Sequence, residues 1–366
     1  MIGNNFSENN IFFYFFEFLF HFKFFILFLK KLKNLSLKII KAGIADSIQD
    51  AGRFGFQHLG INPGGTADSV AATVANALVG NESDAAILEQ HYPASSIHFT
   101  ENTCIAISGA DFGATIDTVI LPINTPIIIK KNAVLVFGKK SEWGCRSYLS
   151  AHGGFDVPKW LNSFSTNTYA KAGGFKGRSL KKDDLLNNAD TKTAEDYNRL
   201  LKEKNFFAFP WHTAVDNFYR NGNTIRIIKG HEFERLTSES KNELLSGNYT
   251  IGTQSNRMGY RIQGATLNVT HTQQLLSTAI SCGTVQLLPD GQMIILMTDH
   301  QTTGGYPRIA HVIAADLPTL AQKNVRQTIQ FSLISHEEAE EIYLRQQKYL
   351  KQVAEICRVT FKNRFA

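Results

Sequence analysis

Residues 294–310, IILMTDHQTTGGYPRIA, form the stretch from which the fold of this chain is most readily interpreted. The stretch opens with four apolar residues, 294–297, which have the length and composition of a buried β-strand. Polar residues follow at once, and Gly304-Gly305 then marks a place where the backbone bends or closely approaches another group. Such a polar segment at the end of a buried strand can form the wall of a site for a small polar ligand. It can equally be the solvated turn of a hairpin, and both interpretations fit this stretch.

Strand patterns continue on both sides of this stretch. Residues 283–288 and 292–297 flank Pro289-Asp290-Gly291, a sequence typical of a hairpin turn. Several short apolar runs between residues 97 and 150 are separated by Gly, Pro and Asn, without helical segments between them. Strands at this spacing favour a barrel or sandwich and argue against a Rossmann sheet.

Four segments show helical periodicity or helix caps. Thr66 is the predicted N-cap of a helix that ends at Gly80. The other three helices are predicted over residues 194–204, 238–245 and from 336 onward, the last behind the capping box Ser335-His336-Glu337-Glu338. We expect this tail helix to pack on a core and not to bind a partner.

The composition is that of a globular protein and excludes several functional classes. Of the 366 residues, 43% are hydrophobic and 19% are charged. The net charge of +6 is not concentrated in a basic patch with interleaved aromatic residues, so no nucleic-acid partner is expected. The four cysteines are far apart and lack metal-ligand spacing, so no metal site is predicted. Free thiols suit a reducing compartment, and we expect a cytoplasmic protein.

The N-terminal segment differs from the remainder of the chain. Residues 11–29 are apolar and long enough to cross a membrane. However, Glu17, His21 and Lys23 lie near the centre of this segment, where each charge costs roughly 2.5–3.5 kcal/mol on insertion. Eleven of the 27 phenylalanines lie within residues 1–36. We expect residues 1–36 to be a non-native or disordered extension and no membrane association; a membrane anchor is the alternative.

Two pairs of charged residues are candidates for binding an anion. Asp50 and Arg53 lie in a glycine-rich loop, where they either form a functional pair or a structural salt bridge that fixes the loop. Arg257 and Arg261 lie on either side of a glycine. Their guanidinium groups can each donate two parallel hydrogen bonds to a carboxylate or phosphate, or they can tie down a turn. The chain lacks the GxxxxGK[ST], GxGxxG and GxSxG motifs, so no standard loop cradles a nucleotide.

Four motifs in order suggest a family. They are IQDAGRFGFQHLGINPGGTAD (residues 48–68), GCRSYLSAHGGFDVP with SFST after it (144–166), SNRMGYRIQG (255–264) and GTVQLLPDGQMIILMTDHQTTGGYPRIAHVIAADL (283–317). Together they resemble the biotin-dependent carboxyltransferase family, also called allophanate hydrolase subunit 2, and within it the group of 5-oxoprolinase C subunits (PxpC, KipA-like). The resemblance extends from about Leu37 to Phe331.

The resemblance implies a mainly β fold with a few helices and two cyclophilin-like β-barrel subdomains. The first subdomain would then span residues 37–220 with helical insertions, and the second would span residues 221–335. The C-terminal helix would occupy residues 336–366.

The resemblance also implies a function in a complex. The A and B subunits of 5-oxoprolinase, of which the B subunit is KipI-like, are the expected partners. The assembly would use ATP, with or without Mg²⁺, to open 5-oxo-L-proline to L-glutamate. Biotin is not expected on this chain. The alternatives are a KipA-like binding protein that sequesters a kinase inhibitor and the carboxyltransferase component of a carboxybiotin-dependent enzyme.

Residue roles follow from the matching motifs. The predicted catalytic residues are Asp299, Thr303 and Tyr306. The predicted substrate-binding residues are Arg257, Arg261, Gln301, Gly304, Gly305, Asp50 and Arg53. In this hypothesis an arginine holds a carboxylate or phosphate, Thr303 and the Gly304-Gly305 amides bind a developing oxyanion, and Asp299 positions a proton or a magnesium-bound group.

Two departures from the family pattern concern turns. Asp183 stands where the family usually has glycine, and aspartate tolerates positive φ better than most residues, so we expect the turn to be retained. His91-Tyr92-Pro93 replaces a stretch that is commonly rich in glycine, which predicts an altered neighbouring pocket.

Overall fold

The computed structural model describes most of the chain from Leu35 onward. The described residues are 35–188, 194–215, 218–219, 222–271 and 275–365. The N-terminal segment 1–34, including the apolar stretch 11–29, lies outside them. Within the described ranges, no helix combines the length and apolar character needed to cross a membrane.

The first half of the chain folds into two six-stranded sheets. Its strands are β1 (Leu35–Lys41), β2 (Ser47–Gln49), β3 (Ile87–His91), β4 (Ser96–Phe99), β5 (Thr103–Gly109), β6 (Ala114–Ile116), β7 (Val119–Ile120), β8 (Pro126–Ile129), β9 (Val134–Phe137), β10 (Arg146–Ala151), β11 (Leu185–Asn187) and β12 (Phe206–Ala208). One sheet has the order β11-β1-β4-β9-β6-β7 and the other β12-β8-β5-β10-β3-β2. Apolar side chains of both sheets enclose one core.

The second half forms a closed seven-stranded barrel. Its strands are β13 (Thr224–Lys229), β14 (Tyr249–Ile251), β15 (Gly259–Gln263), β17 (Thr284–Leu287), β18 (Met293–Leu296), β20 (Arg308–Val312) and β21 (Thr328–Leu333), and β16 (Thr278–Ala279) pairs separately with β19 (Thr303–Gly304). The buried strand predicted in the opening stretch is β18. Met293 and Ile295 point into the barrel core, while Ile294 between them is only half-buried, as the alternation of side chains along a strand requires. The predicted mainly β fold is confirmed.

Five helices are present among the described residues. They are α1 (Ser69–Leu78), α2 (Ala194–Leu201), α3 (Ser238–Ser246), α4 (Leu317–Ala321) and α5 (His336–Phe365). The predicted N-cap of the first helix was wrong by two residues. Asp68, not Thr66, caps α1, because its carboxylate accepts hydrogen bonds from the amides of Val70 and Ala71 at 3.1 and 3.0 Å.

Helix α5 packs against both halves of the chain, and its predicted start is confirmed. Ser335 and Glu338 form the reciprocal hydrogen bonds of a capping box, at 3.1 and 2.9 Å. Near its beginning, Ala339 packs on the end of the barrel unit; further along, Leu350 and Phe361 pack in the core that contains α1. The helix therefore contacts both units, as expected for a tail helix that packs on a core.

The turn at Asp183 is also retained. Its φ is +69°, in the left-handed region that the family's usual glycine favours. The carboxylate of Asp183 lies 2.9 Å from the Lys38 ammonium on the neighbouring strand.

Candidate functional site

A cavity of about 850 Å³ lies between the two units, and both contribute to its wall. Its volume is in the range typical of sites for small molecules and cofactors. The polar turn that follows β18 forms part of the wall, which favours the ligand-site interpretation of the opening stretch over a solvated hairpin. The polar residues that line it include Asn62, His91, Lys140, Arg146, Arg257, Asp299, Gln301, Thr303 and Lys323.

Arg257 links the two units at this cavity. Its Nε donates to Asp299 Oδ2 at 2.8 Å, and its Nη2 donates to Asp299 Oδ1 at 3.1 Å, so the two side chains form a bidentate pair. Toward the first unit, Nη1 donates to Glu89 and Nη2 to the carbonyl of Gly65 at 2.6 Å. Four of the five guanidinium N–H groups thus have protein acceptors, and one remains for a ligand.

Glu89 is a completely buried carboxylate on β3. Its Oε2 accepts hydrogen bonds from the Tyr148 hydroxyl and the Ala67 amide, both at 2.9 Å. Burial alone would raise its pKa, but the charges of Arg257 and Arg146 lower the pKa of Glu89 to about 2. In turn, burial disfavours the charged form of Arg257, but Asp299 and Glu89 overcome this and raise its pKa.

We expect the free energy of unfolding of Glu89→Gln to depend less on pH in the acid range than that of the unsubstituted chain. Because the pKa of Glu89 is lower in the folded than in the unfolded chain, its stabilisation is present above about pH 4.5 and is lost as the pH falls toward 2. This lowering of the pKa of Glu89 corresponds to about 3 kcal/mol of stabilisation of the folded state. Urea unfolding between pH 6 and 2.5 should show a shallower slope for Glu89→Gln than for the unsubstituted chain. Glu101→Gln, at an exposed ion pair with Lys131, is the control and should retain the original slope; equal slopes for Glu89→Gln would contradict the assignment.

A second connection between the units runs through Gln322, the residue after α4. Its Nε2 donates to Asp68 Oδ2 at 2.7 Å and to the Arg146 carbonyl at 3.0 Å. Its Oε1 accepts from the amides of Cys145 and Arg146, both at 3.1 Å. Tyr219 donates to the same Asp68 oxygen at 2.7 Å, and burial raises the pKa of Asp68 to about 6. A glutamine whose amide is fully hydrogen-bonded in this way fixes the backbone from which Arg146 projects.

The structure brings four of the predicted site residues together. Arg257, Asp299, Gln301 and Thr303 line the same cavity. The remaining predicted residues lie outside the cavity lining, as far as the described residues show: Arg261, Tyr306, Gly304, Gly305, Asp50 and Arg53. Their roles in binding or catalysis stay predictions.

The position of Gly304 has a packing explanation. Thr303 and Gly304 form β19, whose partner strand β16 contains Thr278 and Ala279. A Cβ at Gly304 would lie 2.6 Å from Nε2 of the buried Gln286. A larger residue at position 304 would therefore have to displace the Gln286 side chain, over which this two-stranded sheet lies. The side chain of Thr303 is exposed at the cavity wall.

Asp50 and Arg53 meet at a serine loop and do not pair directly with each other. Asp50 accepts hydrogen bonds from Ser163 Oγ at 2.7 Å and from the Phe164 amide at 2.5 Å, and also from Ser165 Oγ. Arg53, only 1% exposed, donates from Nη2 to the Ser165 carbonyl. Its Nε and Nη1 lack hydrogen-bond partners in the described part of the chain, and burial lowers its pKa. Asp50 therefore fixes the serine loop, the proposed salt bridge between the two residues is not formed, and a binding role for Arg53 stays a prediction.

Two histidines lie in the cavity wall. Burial lowers the pKa of His91 to about 3 and also lowers the pKa of His300. The Nδ1 of His300 lies at hydrogen-bond distance from the Gln301 carbonyl, which assigns the proton to that nitrogen. His91 and Tyr92, from the stretch that departs from the family pattern, both line the cavity.

The sequence interpretation missed the residues that join the units. Glu89 had a detectable signal, because a glutamate within the buried run of β3 requires a cationic partner. Gln322, Asp68 and Arg146 had none, since their contacts arise only when the two units are packed together. No group of three or more His, Cys, Asp or Glu side chains with the geometry of a metal site occurs within the described ranges.

Comparison with known proteins places this chain in a family. The family model "Carboxyltransferase domain, subdomain A and B" matches residues 59–333. The chain belongs to this carboxyltransferase family, and the resemblance found in the sequence motifs is confirmed.

Individual proteins are also similar to this chain over most of its length. The C subunit of 5-oxoprolinase from Escherichia coli strain K12 is 37% identical over 322 residues, which cover 87% of this chain and 97% of that protein. The corresponding C subunit from Haemophilus influenzae is 34% identical over 310 residues, covering 85% and 95%. The crystal structure of Kluyveromyces lactis urea amidolyase superposes with a TM-score of 0.78 at 27% identity, covering 87% of this chain but 20% of that longer protein.

Proposed function

We propose that this chain is the C subunit of an ATP-dependent 5-oxoprolinase that cleaves 5-oxo-L-proline to L-glutamate. The two relatives that are named as C subunits of 5-oxoprolinase align with this chain over almost their full length. The observation that carries the proposal is the cavity between the units, where Arg257, Asp299, Gln301 and Thr303 converge. A cationic and hydroxyl-bearing wall of this kind suits a small substrate with a carboxylate and an amide carbonyl.

The chemistry needs ATP because a lactam is an unreactive amide. Transfer of the γ-phosphoryl group to the lactam oxygen makes the ring carbon electrophilic, and water adds to that carbon. The C–N bond then breaks as the ring nitrogen takes a proton and leaves as the amine. A second water releases phosphate from the resulting acyl phosphate, so that ATP, 5-oxoproline and two waters give ADP, phosphate and glutamate.

The residues of this chain contribute binding and charge stabilisation. The exposed Thr303 hydroxyl donates to the oxygen on which negative charge develops. The free N–H of Arg257 binds the substrate carboxylate, and Asp299 holds the guanidinium in that orientation through its bidentate pair. Gln301 adds a side-chain amide that can accept a hydrogen bond from the lactam N–H or donate one to the lactam carbonyl.

The cavity wall also fits a polyanion. Four cationic side chains line it, Lys140, Arg146, Arg257 and Lys323, and the carboxylates of Asp299 and the buried Glu89 lie beside the two arginines. A Mg²⁺ ion that accompanies ATP would reach this wall with the phosphates. We further propose that homologues of the A and B subunits of 5-oxoprolinase, the latter KipI-like, complete the site and that the complex is cytoplasmic.

Omission of single components tests the proposed function. The chain is co-purified with homologues of the A and B subunits, and glutamate release from 5-oxoproline is measured with and without ATP. Release should require ATP and all three proteins. Activity that survives omission of this chain would contradict the proposal, and stable binding to the B subunit without any effect on release would instead favour a KipA-like binding role.

Carboxyl transfer is the second candidate, because the urea amidolyase structure superposes over most of this chain. In that case the reconstituted chain would accept a carboxyl group from carboxybiotin and would be indifferent to 5-oxoproline. Assaying both reactions with the same preparation separates the two candidates.

A further inference from the structure

Gln49 of β2 is a buried glutamine in the wall of the cavity. Successive side chains of a strand point to opposite faces, and Ile48 lies in the core of the first unit. Ser47 and Gln49 therefore face the other way, and both line the cavity. Because Gln49 is only 1% exposed, its amide has little access to bulk solvent. Its polar atoms must find their hydrogen-bond partners within the protein or on a ligand.

The two ends of the Gln49 amide differ in their partners. Nε2 donates to Ser47 Oγ at 2.9 Å. Oε1 has no hydrogen-bond partner in the described part of the chain. A buried carbonyl that is left unpaired destabilises the fold, so its presence at a cavity wall requires an explanation. A ligand that supplies the missing donor provides one.

Two asparagines of the cavity wall, in contrast, use both ends of their amides within the protein. Asn62 Nδ2 donates to the Asp299 carbonyl at 2.9 Å, and Asn62 Oδ1 accepts from Asn167 Nδ2 at 3.2 Å. Asn167 Oδ1 accepts from the Ala170 amide at 2.8 Å. These two side chains fix the loops that carry them, whereas the oxygen of Gln49 remains available to a ligand.

The register of β2 places Gln49 close to Arg257. Ser47 lies directly opposite Glu89 on β3, and the Glu89 carboxylate binds Arg257. Gln49 is two residues further along the same face, so it lies diagonally across from Glu89, at about 7–8 Å. In 5-oxoproline the carboxylate and the lactam nitrogen are attached to the same ring carbon. A substrate whose carboxylate lies at Arg257 can therefore direct its N–H toward Gln49.

We propose that Gln49 is a specificity-determining residue whose Oε1 accepts a hydrogen bond from the lactam N–H. The inference rests on the proposed function, because it takes the substrate carboxylate to lie at Arg257. Ser47 holds Nε2 and so leaves the oxygen for the ligand. Gln301 then donates to the lactam carbonyl. A site that pairs with a substrate N–H rejects an analogue without it, because the buried acceptor is then left unpaired.

Binding of 5-oxo-L-proline and of its lactone analogue, in which a ring oxygen replaces the N–H, tests the inference without any turnover. Both ligands are titrated calorimetrically into the reconstituted complex in the presence of a non-hydrolysable ATP analogue. The unsubstituted complex should bind the lactam at least about tenfold more tightly than the lactone. Gln49→Met should raise the Kd for the lactam by a similar factor and leave the Kd for the lactone unchanged, because methionine fills similar space without an amide oxygen.

Two further variants make the test specific. Ser47→Ala removes the anchor of the glutamine and should raise the Kd for the lactam alone, by a smaller factor than Gln49→Met. Gln263→Met changes an exposed glutamine of β15 outside the cavity lining and should leave both Kd values unchanged. The comparison of the two ligands in the unsubstituted complex needs no variant, so it remains decisive if Gln49→Met does not fold.

The outcomes separate this inference from the proposed function. Equal affinities for lactam and lactone in the unsubstituted complex, or equal losses of both in Gln49→Met, would overturn the inference even if the complex cleaves 5-oxoproline. No binding of either ligand would overturn it as well. A loss confined to the lactam would uphold the inference even if the complex releases no glutamate.

Discussion

Replacing Arg257 by methionine should lower the free energy of unfolding by about 3–5 kcal/mol, because the change leaves buried carboxylates without their cation. Glu89 is fully buried and Asp299 is largely buried, and both depend on this guanidinium. Methionine keeps most of the length of the side chain, so the loss of charge and hydrogen bonds dominates the effect. Equilibrium unfolding in urea at pH 7 measures the change.

Arg261→Met is the matched control, since Arg261 is an exposed arginine four residues away on β15. This variant should change stability by no more than about 0.5 kcal/mol. Adding Glu89→Gln to Arg257→Met should recover part of the lost stability, because one unpaired buried charge is removed. If Arg257→Met unfolds at the urea concentration of the unsubstituted chain, Arg257 does not hold the two units together.

Replacing Thr303 by valine should reduce kcat for ATP-dependent glutamate release by about 10²–10³-fold. Valine has nearly the shape of threonine but lacks the hydroxyl that donates to the developing oxyanion. Thr303 is exposed at the cavity wall, so the substitution should leave stability unchanged. Steady-state kinetics of the reconstituted complex measure the loss.

Two further variants make this result specific. Thr303→Ser restores the hydroxyl and should recover most of kcat. Thr278→Val changes an exposed threonine of the same two-stranded sheet, outside the cavity lining, and should have no effect. An unaltered kcat for Thr303→Val would remove Thr303 from the catalytic residues.

Local patterns in the sequence were sufficient to predict secondary-structure elements and the polar turn that forms one wall of the site. The apolar run of residues 294–297 and the hairpin at Pro289-Asp290-Gly291 predict two adjacent strands, β17 and β18, which the structure confirms. The capping box at Ser335 predicts the start of α5. These signals succeed because they depend on residues close together in the chain.

Contacts between distant segments could not be predicted in this way. Arg257 and Asp299 were both selected as site residues, but their pairing requires β15 to lie antiparallel to β18, with Gly259 opposite Leu296. The sequence suggested that the amides of Gly304 and Gly305 bind an oxyanion, which stays a prediction, and it gave no sign that Gly304 packs close to the Gln286 side chain. Glycine motifs do not reveal whether the backbone approaches a ligand or another side chain.

The central claim is that the cleft between the two units holds the reacting substrates. The most direct test is an experimental structure of the assembled complex with 5-oxoproline and a non-hydrolysable ATP analogue. The lactam should lie beside Arg257 and Thr303, with the ATP analogue in the same cleft. Both ligands bound entirely within the partner proteins, with this cleft empty, would contradict it.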